Sequence, residues 1–205
     1  MKKITLLTLL SAVLLLVISS QAFAYPVTSG QEVYLLQSET GATNGDFGVF
    51  STADGLLFNT FCVEEGVYFN PGSKYTATID DGIKGTKDGG IIETLHGGTK
   101  YLYWNFVQGT LTGFSYDSSN VSALQNAFWL LQGDLVDSTN SFYTLAIAHA
   151  AEGAAYDVKV MNLWDGTAAK QSQLIANAPV PEPATMVLLG SGLIGLALYR
   201  RRMKK

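Results

Sequence analysis

The chain has 205 residues, of which 47% are hydrophobic and 15% are charged, and its formal net charge is −4. Seven of the 13 basic residues lie in the two terminal segments, so residues 25–180 hold six lysines against 16 acidic residues. We do not expect a region with that excess of negative charge to bind nucleic acid or an anionic membrane surface, because both repel it.

The first 24 residues have the three parts of a secretory signal peptide. Two lysines follow Met1, an apolar stretch covers residues 4–18, and the segment Ala22-Phe23-Ala24 places alanine at both positions that a signal peptidase reads. We therefore predict that signal peptidase cleaves between Ala24 and Tyr25, in preference to a retained N-terminal anchor.

The first half of the exported region has the pattern of β-structure. Short apolar or alternating stretches predict strands at residues 32–36, 56–63 and 74–79, and Asn70-Pro71-Gly72 predicts a turn before the last of them. Residues 80–90 are rich in glycine, lysine and aspartate and are predicted to form a solvent-exposed loop. This half is predicted to be sandwich-like or barrel-like.

The second half changes to a helical period. Helices are predicted at residues 99–111, at 121–131 with a cap from residues 118–120, and at 142–152 with a cap from Asn140. Alternation at residues 156–164 predicts a closing strand, and residues 171–180 are predicted to be a linker. The exported domain is thus predicted to cover residues 25–170 and to belong to the α+β class.

Cys62 is the only cysteine of the chain, although exported proteins usually carry cysteines in disulfide pairs. It lies in the segment Phe61-Cys62-Val63-Glu64, and the helix predicted at 121–131 carries Leu124-Gln125-Asn126-Ala127-Phe128-Trp129. Together these two segments resemble the motifs of the thioester (TQXA-type) domains of Gram-positive surface adhesins, in which a cysteine and a glutamine form an internal thioester. Leu124 and Phe128 depart from the residues that are usual there.

The resemblance implies a role for each matching residue. Cys62 corresponds to the thiol and Gln125 to the acyl group, and Glu64, Ala127 and Trp129 correspond to supporting motif positions. A carboxamide is a poor acyl donor in water, but a thiolate held against its carbon gains the advantage of an intramolecular reaction. The thioester could then acylate an amine of a partner once, so we expect no turnover enzyme. Four aromatic residues are predicted to cover the thioester and keep water from hydrolysing it, namely Phe58, Phe61, Phe128 and Trp129. Glu64 or His149 is predicted to assist proton transfer.

Several other interpretations stay open at this point. Cys62 could be a small buried apolar residue and Gln125 a solvated one, in a non-covalent structural or binding protein of an exopolysaccharide or biofilm matrix. A Cys/His hydrolase would need His96 or His149, a calcium site would use residues 80–82 or 134–137, and residues 101–104 could stack on a sugar. None of these has the spacing of a dedicated site, so we predict no catalytic residue, no metal site and no cofactor.

The last 25 residues form a three-part tail. Pro181, Glu182 and Pro183 precede an apolar run over residues 184–199, and a basic end follows that includes Arg200, Arg201 and Arg202. The apolar run would cover roughly 24 Å as a helix, at the short end of what spans a bilayer, and the cations would hold its end in the cytoplasm.

This tail resembles the PEP-CTERM sorting signal of Gram-negative bacteria, which an exosortase recognises. The resemblance implies an exported protein that is held in the inner membrane transiently by its C-terminal helix and is then placed at the cell surface or in the extracellular matrix. The alternative is an ordinary single-pass anchor. The partners implied are signal peptidase and exosortase for processing, and an amine-bearing surface protein or exopolysaccharide after it.

We expect Glu182→Ala to block processing and to leave the protein in the membrane fraction, because the substitution alters the segment at which the tail is read. Fractionation of cells followed by immunoblotting would measure the loss of the released form. Release at the wild-type level would contradict the sorting signal and favour a plain anchor.

Overall fold

The structure is a computed structural model that describes residues 24–37, 46–51, 55–135 and 139–177. The described residues form eight strands, β1 (Glu32–Gln37), β2 (Phe47–Ser51), β3 (Gly55–Thr60), β4 (Lys74–Asp80), β5 (Gly82–Lys84), β6 (Ile91–Thr94), β7 (Val158–Asp165) and β8 (Ala168–Ala176). They also form four helices, α1 (Gly97–Gln108), α2 (Ser118–Gln132), α3 (Ser141–Ala148) and α4 (Ala150–Gly153). This confirms the α+β class, with Gln125 on a helix and a strand that follows the helices.

Six of the strands form one antiparallel sheet in the order β3-β2-β1-β4-β7-β8, and β5 and β6 form a separate hairpin. The closing strand predicted at 156–164 is β7, which lies between β4 and β8. Strands from both halves of the sequence therefore share one sheet.

The two ends of this sheet meet beyond β3. Val63 donates its backbone N–H to the carbonyl of Ser172 at 2.9 Å, and Leu174 donates to the carbonyl of Phe61 at 3.0 Å. Cys62 faces Gln173 across this contact, which is a single antiparallel bridge. Because β3 and β8 stand at opposite ends of the strand order, the sheet has to curl to make it. The sheet formed by the described residues is nevertheless open, so the predicted first half does not close into a barrel.

Two groups of buried apolar side chains lie on the two sides of β8. Leu174 and Ala176 belong to the group that packs against the helices, and Ile175 belongs to the group within the sheet. The alternation is the period of two expected of a strand that is buried on both faces. The helical group includes Phe61, Leu102, Tyr103, Val121, Leu124 and Phe128, and the sheet group includes Val33, Leu35, Val49, Tyr75 and Met161.

The helices begin and end at residues with identifiable caps. The Asp117 carboxylate accepts from the N–H groups of Ser119 and Asn120 at 3.0 and 2.9 Å, and α2 ends at Gly133, whose φ is 86°. Asn140 caps α3 in the same way, as predicted. The cap of α2 is predicted at residues 118–120, but these residues lie inside the helix. The cap is Asp117, because its side chain accepts from the first free N–H groups of α2.

Three predicted elements have different bounds in the structure. The strand predicted at 56–63 ends at Thr60, because the next residues leave β2 and pair with β8. The loop predicted at 80–90 contains β5, and the helix predicted at 142–152 divides at His149 into α3 and α4.

The linker prediction is wrong for its first six residues, which form the second part of β8. Gln171, Ser172 and Gln173 are 6%, 2% and 0% exposed. Their polar sequence is typical of a linker, but here it is buried against the segment that carries Cys62. The compact unit covers Tyr25–Ala178 and so extends past the boundary predicted at residue 170.

Among the residues that the structure describes, no helix is both long enough and apolar enough to cross a membrane. The predicted apolar tail over residues 184–199 lies outside the described residues, as does most of the predicted signal peptide.

Gly97 and Gly153 lie where α1 and α4 touch. A Cβ added at Gly153 would come within 2.1 Å of the Gly97 carbonyl oxygen and within 2.7 Å of the Tyr101 Cβ. We expect Gly153→Ala to lower the free energy of unfolding by about 1–3 kcal/mol, because the helices must move apart. Urea denaturation would measure this change.

Gly66→Ala is the matched control, because nothing lies within 4 Å of a Cβ at that position. It should change the free energy of unfolding by less than about 0.5 kcal/mol. Equal effects of the two variants would contradict the close helix contact.

Candidate functional site

Cys62 is buried at the point where the two ends of the sheet meet. Its side chain and backbone together are only 3% exposed. The residues on either side of it, Phe61 and Val63, make the backbone hydrogen bonds to β8. Since bonding directions alternate along an extended chain, the N–H and carbonyl of Cys62 point away from β8 and are available to another element.

Gln125 of α2 supplies the partners for both of these groups. Cys62 donates its N–H to Gln125 Oε1 at 2.9 Å, and Gln125 Nε2 donates to the Cys62 carbonyl at 2.8 Å. Gln125 is 0% exposed, and a buried amide is stable only when its polar atoms are paired. The carboxamide is therefore held against the residue that carries the only thiol of the chain.

Neighbouring residues of α2 explain why Gln125 points into the protein. Leu124 and Phe128 are fully buried in the helical core group, and Ala127 is 0% exposed. The buried surface of α2 is therefore wider than a single stripe of apolar side chains, and it includes Gln125. The structure places Trp129 at 7% exposure, and its indole N–H is buried without a hydrogen-bond partner among the described residues.

Gln173 is a site residue that the sequence interpretation missed. It is 0% exposed, and its Nε2 lies 3.4 Å from Cys62 Sγ and 3.4 Å from the carbonyl of Gln171. Its Oε1 is buried and has no hydrogen-bond partner among the described residues. Assigning residues 171–180 to a linker hid it. The alternation of Gln171, Gln173 and Ile175 after the turn at Gly166 is the signal that could have found this strand.

Burial raises the pKa of the Cys62 thiol from 9.0 to about 12. The hydrogen bond from Gln173 lowers this pKa, and the negative charge of Glu64 raises it, but both effects are smaller than that of burial. The thiol is therefore protonated at neutral pH in the folded chain.

Glu64 ties the Cys62 segment to β8. Its carboxylate accepts from the Ser172 N–H at 3.1 Å, and its carbonyl accepts from Gln171 Nε2 at 2.7 Å. These contacts place Glu64 as a support for the segment, and its carboxylate is directed to the backbone of the strand.

The residues predicted as aromatic cover lie in different places. Phe61 and Phe128 are fully buried with ring centroids 5.2 Å apart. Phe58 instead lines a cavity of about 420 Å³ together with three other aromatic rings, those of Phe106, Phe114 and Tyr116. Phe106 also packs edge-on against Phe61 at 5.0 Å, so this cavity lies next to the residue that precedes Cys62.

Both histidines have partners other than Cys62. His96 accepts from the Gly98 N–H at 3.0 Å and caps α1. His149 stacks on Tyr101 with ring centroids 4.4 Å apart, and its Nδ1 lies 3.0 Å from Glu152 Oε2. In the described part of the chain neither is hydrogen-bonded to the thiol, so this geometry does not support a Cys/His pair.

The calcium sites predicted at residues 80–82 and 134–137 are not supported by the described residues. Asp80 and Asp81 form ion pairs with Lys84 and Lys159, at 2.7 and 3.1 Å. The described residues contain no group of three His, Cys, Asp or Glu side chains that could hold a metal ion, and residues 136–138 lie outside them.

The residues of the predicted signal peptidase site are both described. Ala24 is exposed, and Tyr25 donates its hydroxyl to Asp157. The sorting-signal residues lie outside the described residues, namely Pro181, Glu182, Pro183, Arg200, Arg201 and Arg202.

Comparisons with known proteins agree with the predicted sorting signal. A family model described as the PEP-CTERM protein-sorting motif matches residues 179–202. This confirms the resemblance drawn from the tail, and it identifies the chain as an exported protein that an exosortase processes and sorts to the cell surface. No curated protein matches the chain.

One solved structure is similar to the exported domain. It is the N-terminal thioester domain of the fibronectin-binding protein SfbI from Streptococcus pyogenes. The two chains are 12% identical, the match covers 80% of this chain and 100% of that one, and the TM-score is 0.41. A similarity at this level does not define the chemistry of the site, so the chemistry has to be argued from the contacts of Cys62 and Gln125.

The raised pKa of the thiol predicts slow alkylation of the folded chain. In Gln173→Ala, which removes the carboxamide that contacts the thiol, modification by iodoacetamide at pH 8 should be on the order of a thousandfold slower in native buffer than in denaturant, because only the thiolate reacts. Mass spectrometry over a time course would measure both rates. Equal rates, with circular dichroism showing a folded variant, would contradict the burial.

The same pKa predicts a pH dependence of stability. Because the folded state holds the thiol proton more tightly than the unfolded chain, this group stabilises the fold below pH 9.0, and the contribution is lost as the pH rises towards about 12. Removing the thiol as well, with Cys62→Ala in the same variant, should remove that part of the alkaline loss of stability.

Proposed function

We propose that the mature domain attaches covalently to amines through an internal thioester at Cys62, at the cell surface or in the extracellular matrix. Gln125 is the acyl donor that the motif predicts, but the contacts favour Gln173. The observation that carries this proposal is the contact of the buried Gln173 carboxamide with the thiol, in which Nε2 lies 3.4 Å from Cys62 Sγ. Gln173 faces Cys62 across the bridge to β8, whereas both hydrogen bonds of Gln125 go to the Cys62 backbone. An enforced geometry of this kind is what makes an unreactive amide attackable.

The first step exchanges one bond for another. The Cys62 sulfur bonds to the Gln173 side-chain carbon, the carbon–nitrogen bond breaks, and the thiol proton leaves with that nitrogen as ammonia. Gln173 Nε2, the nitrogen that leaves, already lies 3.4 Å from the sulfur. Gln125 holds the backbone of Cys62 in place for this attack through its two hydrogen bonds.

The second step attaches the partner. A primary amine attacks the thioester carbon, the carbon–sulfur bond breaks, and the sulfur takes up the proton that the amine loses. Gln173 is then joined to the partner by an amide, and the Cys62 thiol is restored. Each molecule reacts once, because the amide stays on Gln173, and the domain is therefore not a turnover enzyme.

Two observations suit a single, protected reaction. Cys62 and Gln173 are 3% and 0% exposed, so water has little access to the site. The region over residues 25–180 is strongly acidic, which favours encounter with a partner that presents protonated amines. The partner class is an amine-bearing surface protein or an exopolysaccharide with amino groups.

The alternative function is that of a non-covalent structural or binding protein of an exopolysaccharide or biofilm matrix. The satisfied hydrogen bonds of Gln125 favour it, because a carboxamide with both ends paired can serve as a purely structural link between α2 and the Cys62 segment. The two functions share the export signal and differ in one bond.

The intact mass of the domain distinguishes the covalent function from the non-covalent one. We expect the purified wild-type domain to be lighter than its sequence by one ammonia, and we expect Cys62→Ala and Gln173→Ala to have their full sequence masses. Loss of ammonia in a folded Gln173→Ala, with full mass in Gln125→Ala, would assign the acyl group to Gln125 instead. Gln108→Ala is the matched control, because Gln108 is an exposed residue of α1, and it should keep the loss of ammonia. A wild-type domain with its full sequence mass would contradict the covalent proposal.

A further inference from the structure

We infer that the aromatic cavity beside β3 and α1 binds a small soluble cation that carries a trimethylammonium group. The cavity has a volume of about 420 Å³, and the rings of Phe58, Phe106, Phe114 and Tyr116 line it. Mostly apolar cavities of this size, with a few polar groups, are typical ligand sites in proteins. The inference does not depend on the thioester, because among the described residues neither Cys62 nor a glutamine lines this cavity.

Two regular elements hold the cavity open. Phe58 belongs to β3 and Phe106 belongs to α1. The Tyr103 hydroxyl of α1 donates to the carbonyl of Asn59 in β3 at 3.1 Å, so the two elements are tied together at a residue of the lining. The cavity is therefore formed before a ligand arrives, which lowers the entropic cost of binding.

The rings of the lining face in more than one direction, as in an aromatic cage. The Phe114 ring stands at 89° to the Phe106 ring and at 75° to the Tyr116 ring. The ring centroids of these three residues lie between 5.4 and 6.4 Å from one another. Because the face of an aromatic ring attracts a cation, rings around a common space favour a cationic ligand. They do not form the flat platform on which a sugar ring stacks.

Negative charge adjoins the cavity. The Tyr116 hydroxyl donates to the carboxylate of Asp46, a residue that is 0% exposed. Salt screens a buried charge less than an exposed one, so this carboxylate adds to the attraction of a cation. In the described part of the chain no residue of the lining is basic, and residues 25–180 hold 16 acidic residues against six lysines. A cation is therefore favoured over a neutral ligand of the same shape.

The polar groups of the lining select the kind of cation. Apart from Asn59 and the Tyr116 hydroxyl, the side chains of the lining are apolar, and Asn59 Nδ2 donates to that hydroxyl at 2.8 Å. A buried N–H or O–H group without a partner costs free energy, and a primary ammonium or a sugar brings several such groups. A trimethylammonium group brings none, so it fits this lining best.

The test compares choline with its neutral carbon analogue dimethylbutanol, which has the same shape and no charge. NMR titrations would use Cys62→Ala, which cannot form a thioester, so that the result is independent of the proposed covalent function. Tyr116→Leu removes one ring of the lining and its link to Asp46. Tyr68→Leu is the matched control, because Tyr68 is 78% exposed and lies outside the lining. Circular dichroism would confirm that each variant folds.

We expect choline to bind roughly threefold to tenfold more tightly than dimethylbutanol, as one cation–π site provides. The resonances of the Phe106 and Phe114 rings should shift on binding. Tyr116→Leu should lose the preference for choline, and Tyr68→Leu should keep it. Phosphocholine, which is also a lipid headgroup, should bind more weakly than choline, because the acidic region repels its phosphate.

Several results would overturn the inference. Equal affinities for choline and dimethylbutanol would show a plain apolar site, and an absence of choline binding would show no site at all. Preferential binding of glucose would assign the cavity to a sugar, and tighter binding of phosphocholine would assign it to a membrane surface. An unchanged preference in a folded Tyr116→Leu would place the bound choline elsewhere.

Discussion

The structure depends on the two hydrogen bonds that join the side chain of Gln125 to the backbone of Cys62. They connect α2 to the segment where the two ends of the sheet meet. Without them a buried N–H, a buried carbonyl and a buried carboxamide would all lack partners, and each such group is costly in a dry interior. The same pair of bonds therefore stabilises the packing of helix on sheet and fixes the backbone of the residue that carries the thiol.

The curl of the sheet explains why these bonds can form at Cys62. Phe61 and Val63 use their backbone groups to bind β8, which leaves the groups of Cys62 directed towards α2. If β3 continued as a regular strand to Val63, as the alternation predicted, Cys62 would have been one residue of an ordinary ladder. The early end of β3 at Thr60 is thus the feature that frees this residue.

Burial has opposing effects on the proposed chemistry. It raises the pKa of the thiol to about 12 and so disfavours the thiolate, but it also keeps water from the site. A polar contact at the sulfur counters the first effect. The Gln173 amide lies 3.4 Å from the sulfur and lowers the pKa of the thiol, so negative charge there meets a donor that is already in place.

The sequence alone determined the features that depend on local composition and period. The three-part tail and its PEP-CTERM motif, the helix that carries Gln125, and the strands around residues 32–36 and 74–79 all follow from patterns of neighbouring residues. Only the tertiary structure decided which distant segments meet. The polar residues Gln171, Ser172 and Gln173 predict a linker, because no local pattern shows that another segment will bury them. The contact between Gln173 and Cys62 joins residues 111 positions apart, and it exists because the sheet curls. That curvature is set by the packing of the whole domain.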